Sequence, residues 1–210
     1  MPPPDARAGG VSSSGDEGAG AGASNSLPAR GGFPVAKTQV GATDYAVEVL
    51  QALADPGLLL VSLDGNGRPN VMTIGWGSIG VYWARPVFVV PVRASRFTFG
   101  CINKTGDFTV NVLPRKLADI ATFCGTVSGR DHDKFAEANL TAARSLRVRS
   151  PIIEECVLHY ECKVAHVNEL VPKTLAEELE RASYPRGDYH RFFFGEIVSV
   201  RAEPNLRRRI

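Results

Sequence analysis

The chain has 210 residues, 44% of them apolar, with 24 Lys and Arg against 22 Asp and Glu. That length supports one good-sized core and hardly two, and a formal net charge of +2 gives no global pull toward nucleic acid or an anionic membrane. No apolar run reaches the roughly 18 residues of a spanning helix, and no secretory h-region follows the N-terminus, so neither a nucleic-acid nor a membrane partner is expected. Residues 1–35 are rich in Gly, Ala, Ser and Pro and cannot bury enough surface to offset their ordering entropy. They are expected to form a disordered extension ahead of one domain at 36–210. Asp5, Asp16 and Glu17 interrupt what a transit peptide keeps acid-poor, so the expected location is the cytoplasm, with organelle targeting by the extension as the alternative.

Ala46, Val49, Leu50 and Leu53 follow helical spacing and predict a helix over 44–54, ended by Pro56-Gly57. The stretch from Gly57 to Trp76 predicts a hairpin turning at Asp64-Gly65-Asn66-Gly67. Strands are expected at 86–93 and 107–113, with a helix between them capped by Ser95. Short helices are expected at 115–124 and 132–140. A long strand is expected at 153–170, carrying Cys156, Leu158, Tyr160, Cys162 and Val164 on one face. An exposed helix at 173–182 and a last strand at 189–202 follow, the latter placing Phe192, Phe194, Val198 and Val200 on the face of His190. Antiparallel-type strands with interspersed short helices suggest a mainly β barrel with helical excursions. The basic run Arg207-Arg208-Arg209 is expected to be a solvated tail. Cys101, Cys124, Cys156 and Cys162 include no C-x-x-C pair, so no zinc cage and no metal site is expected, and all four are read as thiols in a reducing compartment.

Gly75, Gly77 and Gly80 in "GWGSIG" match the dinucleotide spacing G-x-G-x-x-G. A Rossmann turn would need a helix to open there, because the helix N-terminus holds the pyrophosphate. Tyr82 and Trp83 favour strand instead, Pro86 would break a young helix, and no acidic residue stands about 20 residues on for the ribose. The glycines are therefore expected to remove side chains, for packing or for close approach of a flat ligand to the backbone.

"GRPNVMTIGWGS", "PVFVVPVRASRFTF", "DFTVNV", "CGTVSGRDHDKF" and "YPRGDYHRFFFGEIVSV", in that order over about residues 36–202, resemble the flavin reductase-like proteins, including flavoredoxins. Two positions depart from the family pattern. Ala94 stands where a proline is usual, and Phe97 where a tyrosine is. The resemblance implies an FMN-binding split β-barrel, usually a homodimer.

A phosphate and a flat apolar ring need different surroundings: basic and hydroxyl groups at one end, backbone amides at the other. Arg93, Ser95, Arg96 and Thr98 supply the first, with Ser128, Gly129, Arg130 and Lys134 in a second basic bend. The resemblance places the backbone of Met72, Thr73, Ile74 and Gly75 along the flavin edge, with Asn70, Thr73 and Trp76 lining the pocket. It also places His190 near the ring as the candidate catalytic residue. Tyr184 and Tyr189 are candidates to close the pocket. Cys124 either touches the flavin or is simply buried. His132 is read as solvated, and His159 and His166 as facing away from the apolar side of their strand.

Hydride transfer from a nicotinamide to a flavin needs no protein acid or base at the reacting atom. The expected function is an FMN oxidoreductase taking electrons from NADH or NADPH and passing them to free flavin, an iron centre or a redox partner. A non-enzymatic FMN electron carrier of the flavoredoxin type is the alternative. A split barrel serving haem or a deazaflavin is a third.

Overall fold

The computed structural model describes residues 36–210, so the expected disorder of 1–35 lies outside the described residues. In chain order come β1 (Thr38–Gln39), α1 (Ala46–Ala54), β2 (Leu58–Leu63), β3 (Pro69–Ile74), β4 (Ser78–Tyr82), β5 (Arg85–Arg93), α2 (Phe97–Thr105) and β6 (Asp107–Val112). They are followed by α3 (Ala118–Thr126), α4 (Lys134–Glu137), β7 (Ala142–Ala143), β8 (Ile152–Ile153), β9 (Leu158–Glu169), α5 (Glu177–Ser183) and β10 (His190–Ala202). The main sheet runs β3-β2-β6-β9-β10-β5-β4, with β1 added against β10, and every pairing is antiparallel. Its two ends, β3 and β4, are consecutive in the chain but not hydrogen-bonded to each other. The sheet curls into a split barrel, and Gly75-Trp76-Gly77 crosses the seam.

"LLLVSL" forms β2 because both of its faces have something apolar to meet. Leu58 and Leu60 enter the barrel core with Phe88, Phe108, Tyr160 and Phe193. Leu59 and Val61 face the other way, against Leu117, Ile120, Ala121, Cys124 and Phe135 from the α3–α4 region. Burying each such side chain stabilises the fold by about 1.5–3 kcal/mol. The second cluster also has a positional consequence, because it fixes α3 and the loop after it beside β3.

Several expectations need correction. The long strand begins at Leu158, and residues 154–157 turn before it. Cys156 therefore leaves the face of Leu158, Tyr160 and Cys162 and packs in the α3–α4 cluster. β10 is bulged between Ile197 and Ser199, which shifts its alternation and puts Val200 in the barrel core with Phe193 and Ile197; a bulge changes which face later residues serve. Ser95 does not cap α2. The helix starts at Phe97, and its N-cap residue Arg96 makes no side-chain cap bond. The helix expected at 132–140 shortens to Lys134–Glu137, capped by Asp133, whose carboxylate accepts from the Ala136 amide at 3.1 Å. Trp83 is a turn residue rather than strand. Trp83 and Ala84 (φ 52° and 56°) make the tight β4–β5 turn in a left-handed conformation usually filled by Asn-Gly.

Candidate functional site

The free edge of β3 lines a groove with two connected lobes. One, of about 210 Å³, is walled by Met72 to Trp76 on one side and by Pro91, Val92, Arg93, Arg96 and His190 on the other. The second, of about 160 Å³, lies between the Ser95–Thr98 bend and the Cys124–Arg130 loop, with Lys134 beneath. Met72, Thr73 and Arg96 belong to both. Most of the candidate residues line one lobe or the other. Tyr184 and Tyr189 do not, nor does Asn70, which stands just beyond and donates from Nδ2 to Thr98 Oγ1 at 2.8 Å. Among the described residues β3 pairs only with β2, so its outer edge offers backbone N–H and C=O groups that no strand there takes. Gly77 owes its place to the seam: an added Cβ would lie 3.0 Å from the Val89 carbonyl oxygen. No helix opens at the glycine motif, in keeping with a non-Rossmann role.

The smaller lobe is lined by positive charge, from Arg96, Arg130 and Lys134. The two basic bends meet, since Arg130 donates from Nη2 to the Ser95 carbonyl at 3.0 Å and lies over the Phe97 ring at 5.6 Å. Lys134 is 5% exposed and is held by the carbonyls of Cys124 at 2.9 Å and Val127 at 3.2 Å. Burial, and secondarily Arg96, lower its pKa. A buried ammonium held by carbonyls keeps its positive charge uncancelled, and no carboxylate lines either lobe. Arg96 is exposed; its backbone bonds to Arg93 and Phe99, while its guanidinium has no hydrogen-bond or ion-pair partner among the described residues. The uncapped start of α2 adds unsatisfied N–H groups. A Cβ at Gly129 would sit 2.2 Å from Asn70 Oδ1, so it would displace the amide that bonds Thr98.

Arg93 differs from its neighbours. It gives Nη1 to the Asp188 carbonyl at 3.1 Å and Nη2 to the Ser183 carbonyl at 2.8 Å, and lies over Tyr184 at 5.0 Å. Its guanidinium fastens the segment before β10 to the end of β5. Ser95 is likewise engaged, its hydroxyl donating to Asp188 Oδ2 at 2.6 Å.

The larger lobe is aromatic at its mouth. Trp76, 50% exposed, stands 4.8 Å from the His190 ring, and Tyr184 Oη is 2.7 Å from His190 Nδ1. Tyr189 stacks at 4.9 Å on Tyr184 and donates to Glu180, so Tyr184 is the residue that meets His190 directly. Burial, reinforced by Arg93 and Arg96 and opposed by Asp188, pulls the His190 pKa down to about 4. At neutral pH the ring is uncharged, and the pairing in which Tyr184 donates leaves the proton on Nε2. Thr73 gives its hydroxyl to the Ala121 carbonyl at 2.5 Å, tying β3 to α3. Cys124 is buried and its thiol is pushed up to about 11 by burial, which keeps it a thiol rather than a thiolate.

His132 is partly exposed and pairs with Glu137. His159 turns from the barrel core as expected, yet it is fully buried, with Nδ1 2.8 Å from Asn111 Oδ1. No cluster of three or more His, Cys, Asp or Glu suited to a metal ion occurs among the described residues. Nor is any helix there long and apolar enough to cross a membrane. Asp188 escaped the sequence reading. "RGD" shows only a turn, and nothing local says that its carboxylate crosses to Ser95.

Similarity to known proteins agrees with this geometry. An uncharacterized protein of Archaeoglobus fulgidus is 32% identical over 142 residues, 68% of this chain and 69% of the relative. Flavoredoxin of Desulfovibrio vulgaris superposes with a TM-score of 0.58 at 27% identity, over 71% of this chain and 70% of that one. The FMN-binding domain of a flavin reductases-like enzyme from Shewanella baltica, at 17% identity, shares the fold with a TM-score of 0.58 over 82% and 80% of the two chains. The model of the flavin reductase like domain matches residues 50–209, which takes in the split barrel and both lobes of the groove; the chain belongs to the flavin reductase-like family.

Proposed function

We propose that this protein binds FMN along the β3 groove and acts as an NAD(P)H-dependent FMN oxidoreductase, delivering electrons to free flavin, an iron centre or a redox partner. The observation that carries the proposal is the pairing of unlike lobes at Met72, Thr73 and Arg96: a lobe lined by Arg96, Arg130 and Lys134 joined to a lobe walled by an edge strand. Arg96, Lys134, Thr98 and the Ser128–Gly129 bend suit the phosphate. The Met72–Gly75 backbone suits the hydrogen-bonding rim of the ring. Bound FMN would supply two-electron redox chemistry that no side chain here provides.

The residues around it bind, orient and exclude water. Lys134 and Arg96 fix the phosphate end and so the ring's position in the groove. Uncharged His190, oriented by Tyr184, presents a hydrogen bond without adding a positive charge to the lobe. Trp76 gives an apolar, accessible wall against which a nicotinamide can stack. The resemblance to flavoredoxin and the exposure of Trp76 favour a second reading, an FMN carrier exchanging electrons with protein partners. A second copy of the chain belongs to the proposal, as the resemblance implies, and a mass measurement in solution tests it.

The deciding experiment is the absorbance spectrum of protein purified without added cofactor, followed by titration with NADH and NADPH. Rapid nicotinamide oxidation with added FMN supports the reductase. A yellow protein inert to both nicotinamides supports the carrier. Absence of flavin, and of FMN binding on addition, overturns both.

A further inference from the structure

Asp188 holds a left-handed backbone, φ 58°, at the joint between the segment carrying Tyr184 and the start of β10. Its Oδ2 accepts from the Ser95 hydroxyl at 2.6 Å and its Oδ1 from the Ser95 amide at 3.2 Å. A hydroxyl and an amide have one proton each, so both Ser95 donors are spent on this carboxylate. These are donors that the phosphate end of the groove would offer to a ligand. Neighbouring cations do not resolve the conflict: Arg93 is committed to the Asp188 and Ser183 carbonyls, and Arg130 to the Ser95 carbonyl.

We propose that Asp188 is an internal anion that competes with the flavin's phosphate for Ser95, and so sets how strongly the protein prefers a phosphorylated flavin to an unphosphorylated one. The inference rests on the FMN reading above. A phosphate monoester carries close to two negative charges at neutral pH, and a carboxylate sharing its donors repels it. When the phosphate takes Ser95, the carboxylate gives it up. The same residue's carbonyl is tied to Arg93, which lies over Tyr184, and Tyr184 is bonded to His190. These contacts run from the phosphate end to the histidine at the ring end. An internal competitor lowers apparent affinity by the fraction of molecules in which it is disengaged, so a tenfold effect means that the Asp188–Ser95 contact is closed about nine times in ten.

The test is the dissociation constant of the full chain for FMN and for riboflavin, in the wild type, Asp188→Asn and Asp188→Gly. Both replacements tolerate a left-handed backbone, and the second keeps the question open if the first fails to fold. Both variants are expected to bind FMN about tenfold more tightly with riboflavin affinity unchanged. In a Ser95→Ala background the gain from Asp188→Asn is expected to shrink toward none, because the contested donor is gone. FMN binding that is unchanged or weaker in the variants overturns the inference and makes Asp188 a scaffold residue. So does a parallel change for both flavins, or a gain that survives Ser95→Ala. If the wild type binds FMN no better than riboflavin, the phosphate site itself is wrong; if it binds neither, the FMN reading falls and the inference with it.

Discussion

The two lobes of the groove are built in opposite ways. The ring lobe is walled by regular strands, whose positions are set by ladders running across the whole sheet from β3 to β4. The anion lobe is walled by bends, whose positions depend on single contacts: Arg130 to Ser95, Lys134 to two carbonyls, Gly129 against Asn70. The first kind of wall tolerates loss of one side chain, since the backbone supplies its hydrogen-bonding groups. The second does not, because several of its side chains also hold the bends in place. Mutations should therefore separate the lobes by which flavin they affect and by whether they cost stability.

Lys134→Met should give the largest effect. It removes the buried charge and leaves the Cys124 and Val127 carbonyls without their donor. An unsatisfied buried group costs about 1–3 kcal/mol, so the melting temperature falls, while FMN affinity drops more than about tenfold and riboflavin affinity much less. Gly129→Ala comes next. The added methyl collides with Asn70 Oδ1, and forcing an atom into such a contact costs about 1–3 kcal/mol, read as a lower denaturant midpoint and weaker FMN binding together. Arg96→Ala sharpens the contrast, because this side chain fastens nothing. FMN affinity is expected to fall about tenfold with the melting temperature unchanged. Arg93→Ala is its mirror image: a clear loss of stability, from releasing the Ser183 and Asp188 carbonyls, with the smaller share of its effect on FMN. Equal losses of FMN affinity in the two arginine variants, without a stability difference, would remove the distinction.

The strand-walled lobe was also the more legible one. β2, β3 and their turn follow from an apolar run, alternation and a Gly-Asn-Gly turn, all signals local in the chain. The barrel seam is less direct: glycines at 75 and 77 say that side chains are unwelcome there, but not that two strands part company. The basic bends were readable as charge in the right order, and their convergence was not, since it depends on α3 packing against β2 and β3 through Leu59, Val61, Ile120 and Ala121. Ser95 resembled a helix cap because serine before a helix usually is one; a carboxylate 93 residues away claims it instead. Asp188 and the Trp83-Ala84 turn share a reason for being missed. Each adopts positive φ without glycine, held there by tertiary contacts that no propensity encodes. The bulge before Ser199 hid in the same way, because alternation read along β10 carries no mark where a residue is inserted.

The smallest expected effect concerns His190, which sits where the two kinds of wall meet. Its folded-state pKa of about 4 lies below the ordinary value of 6.5, so the unfolded chain binds a proton more readily than the folded one. The stability arising from this residue is therefore full above pH 6.5 and is lost progressively as pH falls toward about 4. Replacing it by Gln keeps a hydrogen-bonding partner for Tyr184 and removes the titration, so the wild-type decline in melting temperature over that window should flatten in His190→Gln. Because the imidazole stays neutral throughout, turnover between pH 6 and 8 should show no limb assignable to His190 protonation. An activity limb in that range that disappears in the Gln variant would mean that the histidine is more solvated than its burial against Trp76 and Tyr184 implies, and that the ring lobe is looser than its strands suggest.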